Sequence, residues 1–268
     1  MPLTRQFTIE YAIWFYAILP GLAELGLPFT LGGTSNHFRT GALRRIGAWD
    51  AYNVTEDADV GMRLARFGFR SAVLESTTWE EANCRLGNWI RQRSRWQKGF
   101  LQTWLVHMRE PRALLRALGW RGFCVFQILV GGSIVTGWAP ALFLASLALS
   151  LAGVRLAPAS AVYDALIVGN LLVTAASIFV AAAFASVALR ATGQRHLLSS
   201  LPGMPLYWLL VSIGAAKGGW QFLVNRSYWE KTTHGLSHAG APEGAQASLS
   251  EDSVWLPCAS QAARSGQP

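Results

Sequence analysis

Gly32-Gly33-Thr34-Ser35-Asn36-His37-Phe38-Arg39, then Thr55-Glu56-Asp57-Ala58-Asp59, then Gln92-Arg93-Ser94-Arg95-Trp96 stand in that order in the first part of the chain. The first group is led by two glycines, and the second is a run of carboxylates. The third sets a neutral amide, a guanidinium and an indole within about one helical turn. Between and around them, Phe29-Thr30-Leu31 reads as a short strand, Thr40 to Ile46 as a helix and Ala58 to Phe67 as a second helix closed by Gly68. Arg70 to Leu74 reads as another strand, so the region predicts part of a Rossmann-like α/β layer.

The carboxylates have two readings. Three acids at a helix start suit the helix dipole, and Asn53 with Glu56 has capping-box spacing. A catalytic carboxylate fits the same residues, and what favours it is the company of Gln92, Arg95 and Trp96. Arginine's planar fork suits a diphosphate, and an indole face packs against the C–H face of a sugar ring.

Composition sets the surroundings. With 51% apolar and 14% charged residues, the chain is more apolar than an ordinary soluble protein, and part of it belongs in lipid. Much of the +8 net charge gathers between Arg91 and Arg121, ahead of the first long apolar stretch, where membrane proteins carry cytoplasmic anchor charges. No base-reading motif accompanies that charge, which argues against nucleic acid. The cysteines Cys84, Cys124 and Cys258 form no CxxC or metal-ligand spacing and fit a reducing compartment.

Thr8 to Leu27 is apolar but interrupted by Pro20-Gly21, which predicts a buried or interfacial helix. From Leu86 to Met108, Trp89, Trp96, Phe100 and Trp104 recur on one helical face, with Arg91, Arg95 and Lys98 elsewhere, a pattern suited to a membrane interface or to an aromatic core. Gly122 to Gly153 carries no charge, and Ala165 to Leu189 follows as a second apolar run. With basic outer flanks the two predict an in-out-in hairpin. A third run, Leu197 to Val224, holds Pro202, Gly203, Pro205 and Lys217 and reads as interfacial or re-entrant. The chain thus divides into 1–85, an interface region 86–121, a hairpin 122–195, a segment 196–238 and an expected disordered tail 239–268.

With these groups in order, the chain resembles the inverting, membrane-embedded family 2 glycosyltransferases, the cellulose-synthase-like group, over Thr8 to about Ser237. The resemblance implies a partial GT-A (Rossmann-like) α/β domain followed by a helical membrane domain in a bacterial inner membrane, with its catalytic part facing the cytosol. It implies Asp57 as general base beside Thr55 and Glu56. Gln92, Arg95 and Trp96 would hold diphosphate and acceptor sugar, and Gly33, Thr34, Asn36 and His37 would line the acceptor site. Trp229, Thr232, His234 and Gly235 are similar to the family's gating loop, which would lie on the cytosolic side and so require an even number of crossings before it.

The implied partners are a nucleotide-sugar donor, a polysaccharide or sugar acceptor, the bilayer, and an N-terminal half or other synthase subunits. Mg2+ or Mn2+ is the implied cofactor. The family's Asp-x-Asp metal pair and first nucleotide-binding strand are not seen before Gly32, which leads us to expect a chain lacking its donor-binding half. Asp57-Ala58-Asp59 spells the metal pattern but sits in the base motif. The competing expectation is a non-catalytic membrane scaffold that retains the fold.

Overall fold

The computed structural model describes residues 1–78, 80–154 and 161–233. Helices account for every regular element among them: α1 (Pro2–Ala12), a π-helical turn (Ile13–Ile18), α2 (Leu19–Glu24), α3 (Thr40–Arg45), α4 (Glu56–Arg66) and α5 (Leu86–His107). There follow α6 (Pro111–Phe126), a second π-helical turn (Gln127–Gly131), α7 (Gly132–Leu151), α8 (Ala161–Ala191), a 3-10 segment (Arg195–Gly203) and α9 (Met204–Val224).

The expected α/β layer is not there: the described residues contain no β-strand. A strand needs a neighbour to complete its ladder, and neither extended segment finds one. Phe29 and Thr30 are buried, but they lie against α4, where a Cβ on Gly61 would come 2.5 Å from the Phe29 carbonyl oxygen. Arg70 to Leu74 follows the turn that ends α4, in which the Phe69 N–H donates back to the Leu64 carbonyl at 3.0 Å. The Pro20-Gly21 break is also absent, because the wider π-helical turn just ahead of Pro20 absorbs its missing N–H and the helix continues to Glu24.

Four small cores hold the helices together. Ile9 and Ala12 of α1 meet Ala185, Ala188 and Leu189 of α8, with Leu197 alongside. Phe7 meets Trp89 of α5 and Tyr207 of α9. Met62 of α4 meets Leu114 and Phe126 of α6, and Val60 and Leu64 pack on Ile46. The aromatic face of α5 is therefore covered by protein: Trp89 is fully buried, and the Trp104 indole N–H donates to Gln127 Oε1 at 2.8 Å.

Where α5 meets α9, the close approach requires small residues. A Cβ on Gly214 would lie 2.6 Å from Arg93 Cβ, and one on Gly218 would lie 2.5 Å from the Ser94 carbonyl oxygen.

Three helical stretches, Pro111–Leu151, Ala161–Ala191 and Arg195–Val224, are long and apolar enough to cross a membrane. The first two leave side chains such as Leu142, Leu166 and Phe179 exposed, as lipid-facing helices do. The prolines of the third stretch lie in the 3-10 segment and in the first turn of α9, so α9 itself runs unbroken over 21 residues. The tail from 239 to 268 lies outside the described residues.

Buried at the junction of α1, α5 and α9 is Arg93. Its Nη1 donates to Glu10 Oε1 at 2.6 Å, its Nη2 donates to Glu10 Oε2, and Nη2 also donates to the Tyr207 hydroxyl at 2.7 Å. Replacing Glu10 with Ala strands that buried charge and is expected to cost about 3 kcal/mol. Thermal unfolding of the purified protein checks this, and an unchanged melting temperature would show that the clasp contributes nothing.

Candidate functional site

Asp57 occupies the first turn of α4, where the helix dipole favours an anion, and its Oδ1 accepts from the Ala58 N–H at 2.8 Å. The preceding loop fixes where that turn sits. Asn53 Oδ1 accepts from the Thr55 N–H at 3.0 Å, and Asn53 Nδ2 donates to Thr103 Oγ1 at 2.8 Å. The Val54 N–H donates to Gln102 Oε1 at 3.2 Å. Thr55 is buried on Gly99, where an added Cβ would fall 2.1 Å from Thr55 Oγ1. Asn53 thus ties the loop to α5 and does not form the expected capping box with Glu56; the N-cap residue is Thr55.

Asp57 and Asp59 have opposite surroundings. Burial pushes the Asp57 carboxyl above the ordinary aspartate value, and the exposed Glu56 adds to the rise, while the Ala58 N–H and Arg95 oppose it. Asp59 is also buried, which alone would raise its value, but hydrogen bonding and charge from His107 and Arg63 outweigh burial and hold it low. His107 Nε2 lies 3.0 Å from Asp59 Oδ1, and Arg63 Nε donates to Asp59 Oδ2 at 2.6 Å. Arg63 Nη1 also donates to the Ile46 carbonyl at 2.8 Å, so Asp59 anchors α4 to α5 and to the end of α3.

Gly33 lies against Asp57: a Cβ there would come 3.3 Å from Oδ2. Thr34, Asn36 and His37 are exposed beyond it, and Asn36 Nδ2 donates to the Gly32 carbonyl. Arg95, half-buried on α5, feels the charges of both Glu56 and Asp57, although burial lowers its own value. Gln92 is buried, and its Oε1 has no hydrogen-bond partner. Trp96 turns toward α1, with the Arg93 guanidinium carbon 4.5 Å from its ring centre and Tyr11 at 6.5 Å.

The segment after α9 runs back along α5. Gln102 Nε2 donates to the Arg226 carbonyl at 2.8 Å, Lys98 Nζ donates to the Tyr228 carbonyl, and Ser94 Oγ donates to Glu230 Oε2 at 3.0 Å. Asn88 exchanges two hydrogen bonds with the Thr233 backbone, at 2.8 and 3.0 Å. On this path the Trp229 ring centre lies 5.5 Å from the Arg95 guanidinium carbon, and Thr232 is buried. Glu230 is bonded by Lys217 at 2.6 Å and Gln221 at 2.8 Å. Burial opposes its charge, but these bonds hold its carboxyl below the ordinary value. His234 and Gly235 lie outside the described residues.

A stretch matched by a family model coincides with this arrangement: the model described as glycosyl transferase family group 2 matches residues 3–211. The chain belongs to that family. It is also 30% identical over 98 residues to "Probable glycosyltransferase YdaM" of Bacillus subtilis (strain 168), a match covering 36% of this chain and 23% of that protein. No solved structure matches.

Two neighbours of Asp57 and Gly32 escape sequence reasoning. Tyr11 feels the Asp57 charge, and Phe15 closes on Gly32, where a Cβ would lie 3.1 Å from its ring. Their signal is the helical spacing of Phe7, Tyr11 and Phe15, whose ring centres lie 4.4 Å apart (stacked) and 5.2 Å apart (tilted). That spacing marks a shared face but not what the face adjoins.

The contrast between the two aspartates has a measurable sign. Asp59→Asn is expected to lose about 3 kcal/mol at neutral pH. This stability is present above the unfolded-state value and disappears as pH falls through the lowered folded value. Asp57→Asn has the opposite sign. A raised folded value means that stability is given up as pH rises from the ordinary value through the raised one, so above that window the variant melts higher than wild type. Thermal unfolding at neutral and acid pH reads both, and parallel shifts of the two variants would contradict the assignment.

Proposed function

We propose that this chain supplies the acceptor-and-base side of an inverting transfer from a nucleotide-sugar to a growing polysaccharide, in the manner of the cellulose-synthase-like group, at the cytosolic face of a bacterial inner membrane. The observation that carries this reading is the placement of Asp57 between Gly33 and the field of Arg95. Gly33 has no side chain, so an acceptor hydroxyl can approach the carboxylate there. As the acceptor oxygen attacks the anomeric carbon, Asp57 takes its proton and the bond to the nucleoside diphosphate breaks. Arg95 faces the charge that develops on the departing diphosphate. Gln92 keeps an unpaired Oε1 inside the protein on the same helix, and Trp96, packed on Arg93, supplies the indole of the motif.

A Mg2+ or Mn2+ ion does not fit the described residues. Asp59 is committed to Arg63 and His107, and no group of three potential ligands gathers among the described side chains.

The course of the 225–233 segment supports a topology with two full crossings, α6–α7 and α8, with α9 re-entering the interface. Tyr207 packs on Trp89, and Gly214 and Gly218 pack on Arg93 and Ser94, so α9 is held to α5, while Ala215 and Gly219 approach Gly137 and Trp138 of α7. Trp229 and Asp57 then share one side, flanking Arg95.

Membranes carrying the chain as part of a complete enzyme, joined to a donor-binding half and supplied with radiolabelled nucleotide-sugars, test the reaction. Asp57→Asn is expected to lower transfer by about a hundred- to ten-thousand-fold while leaving nucleotide-sugar binding nearly unchanged by calorimetry. Because the base must be unprotonated and its value is raised, the acid limb of kcat/KM should fall at a pH above the ordinary aspartate value of about 3.9. Turnover unaffected by the substitution removes Asp57 from the role. For topology, the exposed Lys231 replaced by Cys should react with a membrane-impermeant maleimide only once the membrane is permeabilised, and labelling from outside intact cells would overturn the two-crossing arrangement.

A further inference from the structure

We infer that the exterior of α6, with the turns on either side of it, is a binding surface for anionic phospholipid headgroups. Arg109, Arg112, Arg116 and Arg121 are all exposed, and none forms an ion pair with a described carboxylate. Between positions 109 and 121 the only acid is Glu110. The inward face of α6 is already used, since Leu114 is fully buried against Met62 and Phe126, and the side-chain hydrogen bond among these arginines is local, from Arg116 Nε to the Arg112 carbonyl at 3.4 Å.

Apolar groups occur among the charges. Leu115 is 42% exposed and Trp120 is 72% exposed, next to Arg121, and Leu105 and Val106 are exposed at the end of α5. Gly119, at φ 67°, breaks α6 at this point. From Gly122 onward the helix carries no charge through Gly153 and displays Ile128, Val135 and Leu142 outward. The basic face therefore ends where the lipid-exposed span begins, which is the depth of the headgroups. An indole belongs at that depth, and an arginine near a negatively charged leaflet gains about fivefold in affinity. Charge complementarity and continuity with the span name the occupant: an anionic phospholipid, with its phosphate on the arginines and its chains along α7.

The test reconstitutes the full chain in bilayers of equimolar phosphatidylcholine and phosphatidylglycerol, excises it with styrene–maleic acid copolymer, and measures the lipids retained. Wild type should hold an excess of phosphatidylglycerol. R112Q/R116Q should reduce that excess by about twenty-five-fold at low salt, and raised salt should reduce it in wild type. R112K/R116K keeps the charge and should keep the excess, which also separates charge loss from misfolding. Equal retention of the two lipids by wild type, or loss of the excess in the lysine variant, overturns the inference. Displacement of phosphatidylglycerol by millimolar inorganic phosphate at constant ionic strength would instead mark a free-phosphate site and also overturn it.

Discussion

A single buried guanidinium fixes the relation of α1, α5 and α9. Arg93 is gripped by both carboxylate oxygens of Glu10 and by the Tyr207 hydroxyl, which itself donates to Glu10 Oε2 at 2.6 Å. The rings of Phe7, Trp89, Trp96 and Tyr207 surround it, with centroids 4.5 to 5.7 Å from its guanidinium carbon. A charge taken out of water this completely is tolerated only where its partners are fully in place. That requirement sets the register of three helices remote in sequence. Gly214 and Gly218 allow α9 to come close enough for Tyr207 to reach, and Phe7 and Glu10 must share one face of α1.

With α5 so held, its remaining faces act as a template. Gln102, Thr103 and Gly99 receive the loop that ends in Asp57, while Gln102, Lys98, Ser94 and Asn88 receive the segment after α9 in the reverse direction. Gln102 serves both, accepting from the Val54 N–H and donating to the Arg226 carbonyl. Arg95 lies between the two docked segments, touched by the field of Asp57 from one and by the Trp229 ring from the other. The arrangement around the candidate base is thus assembled from parts that are far apart in the chain, joined by one helix.

Local chemistry was legible in the sequence and partnership was not. The helix from Glu56 to Arg66 announced itself through its acidic first turn and Gly68, and the apolar runs through their lack of charge. The strands failed because β propensity says a segment would suit a sheet and nothing about whether a neighbour is at hand. The tryptophan spacing of α5 was equally ambiguous, since an apolar face looks the same whether lipid or protein covers it. Arg93 shows the limit best. Within Gln92-Arg93-Ser94-Arg95-Trp96, nothing distinguishes the arginine buried under Glu10 from the one that faces the carboxylates of Glu56 and Asp57, because the distinction comes from residues at positions 10 and 207.

The same lesson is sharpest in Asp57-Ala58-Asp59. Two carboxylates two residues apart on a helix point in directions about 200° apart, so a motif that reads as a pair places its members in different environments. Asp59 turns inward to His107 and Arg63, which hold its charge and give it a structural task. Asp57 turns toward Gly33, where burial opposes its charge and its side chain has no cation bonded to it in compensation. Asp59, by holding α4 against α5 through His107, is what keeps Asp57 in so unfavourable a place.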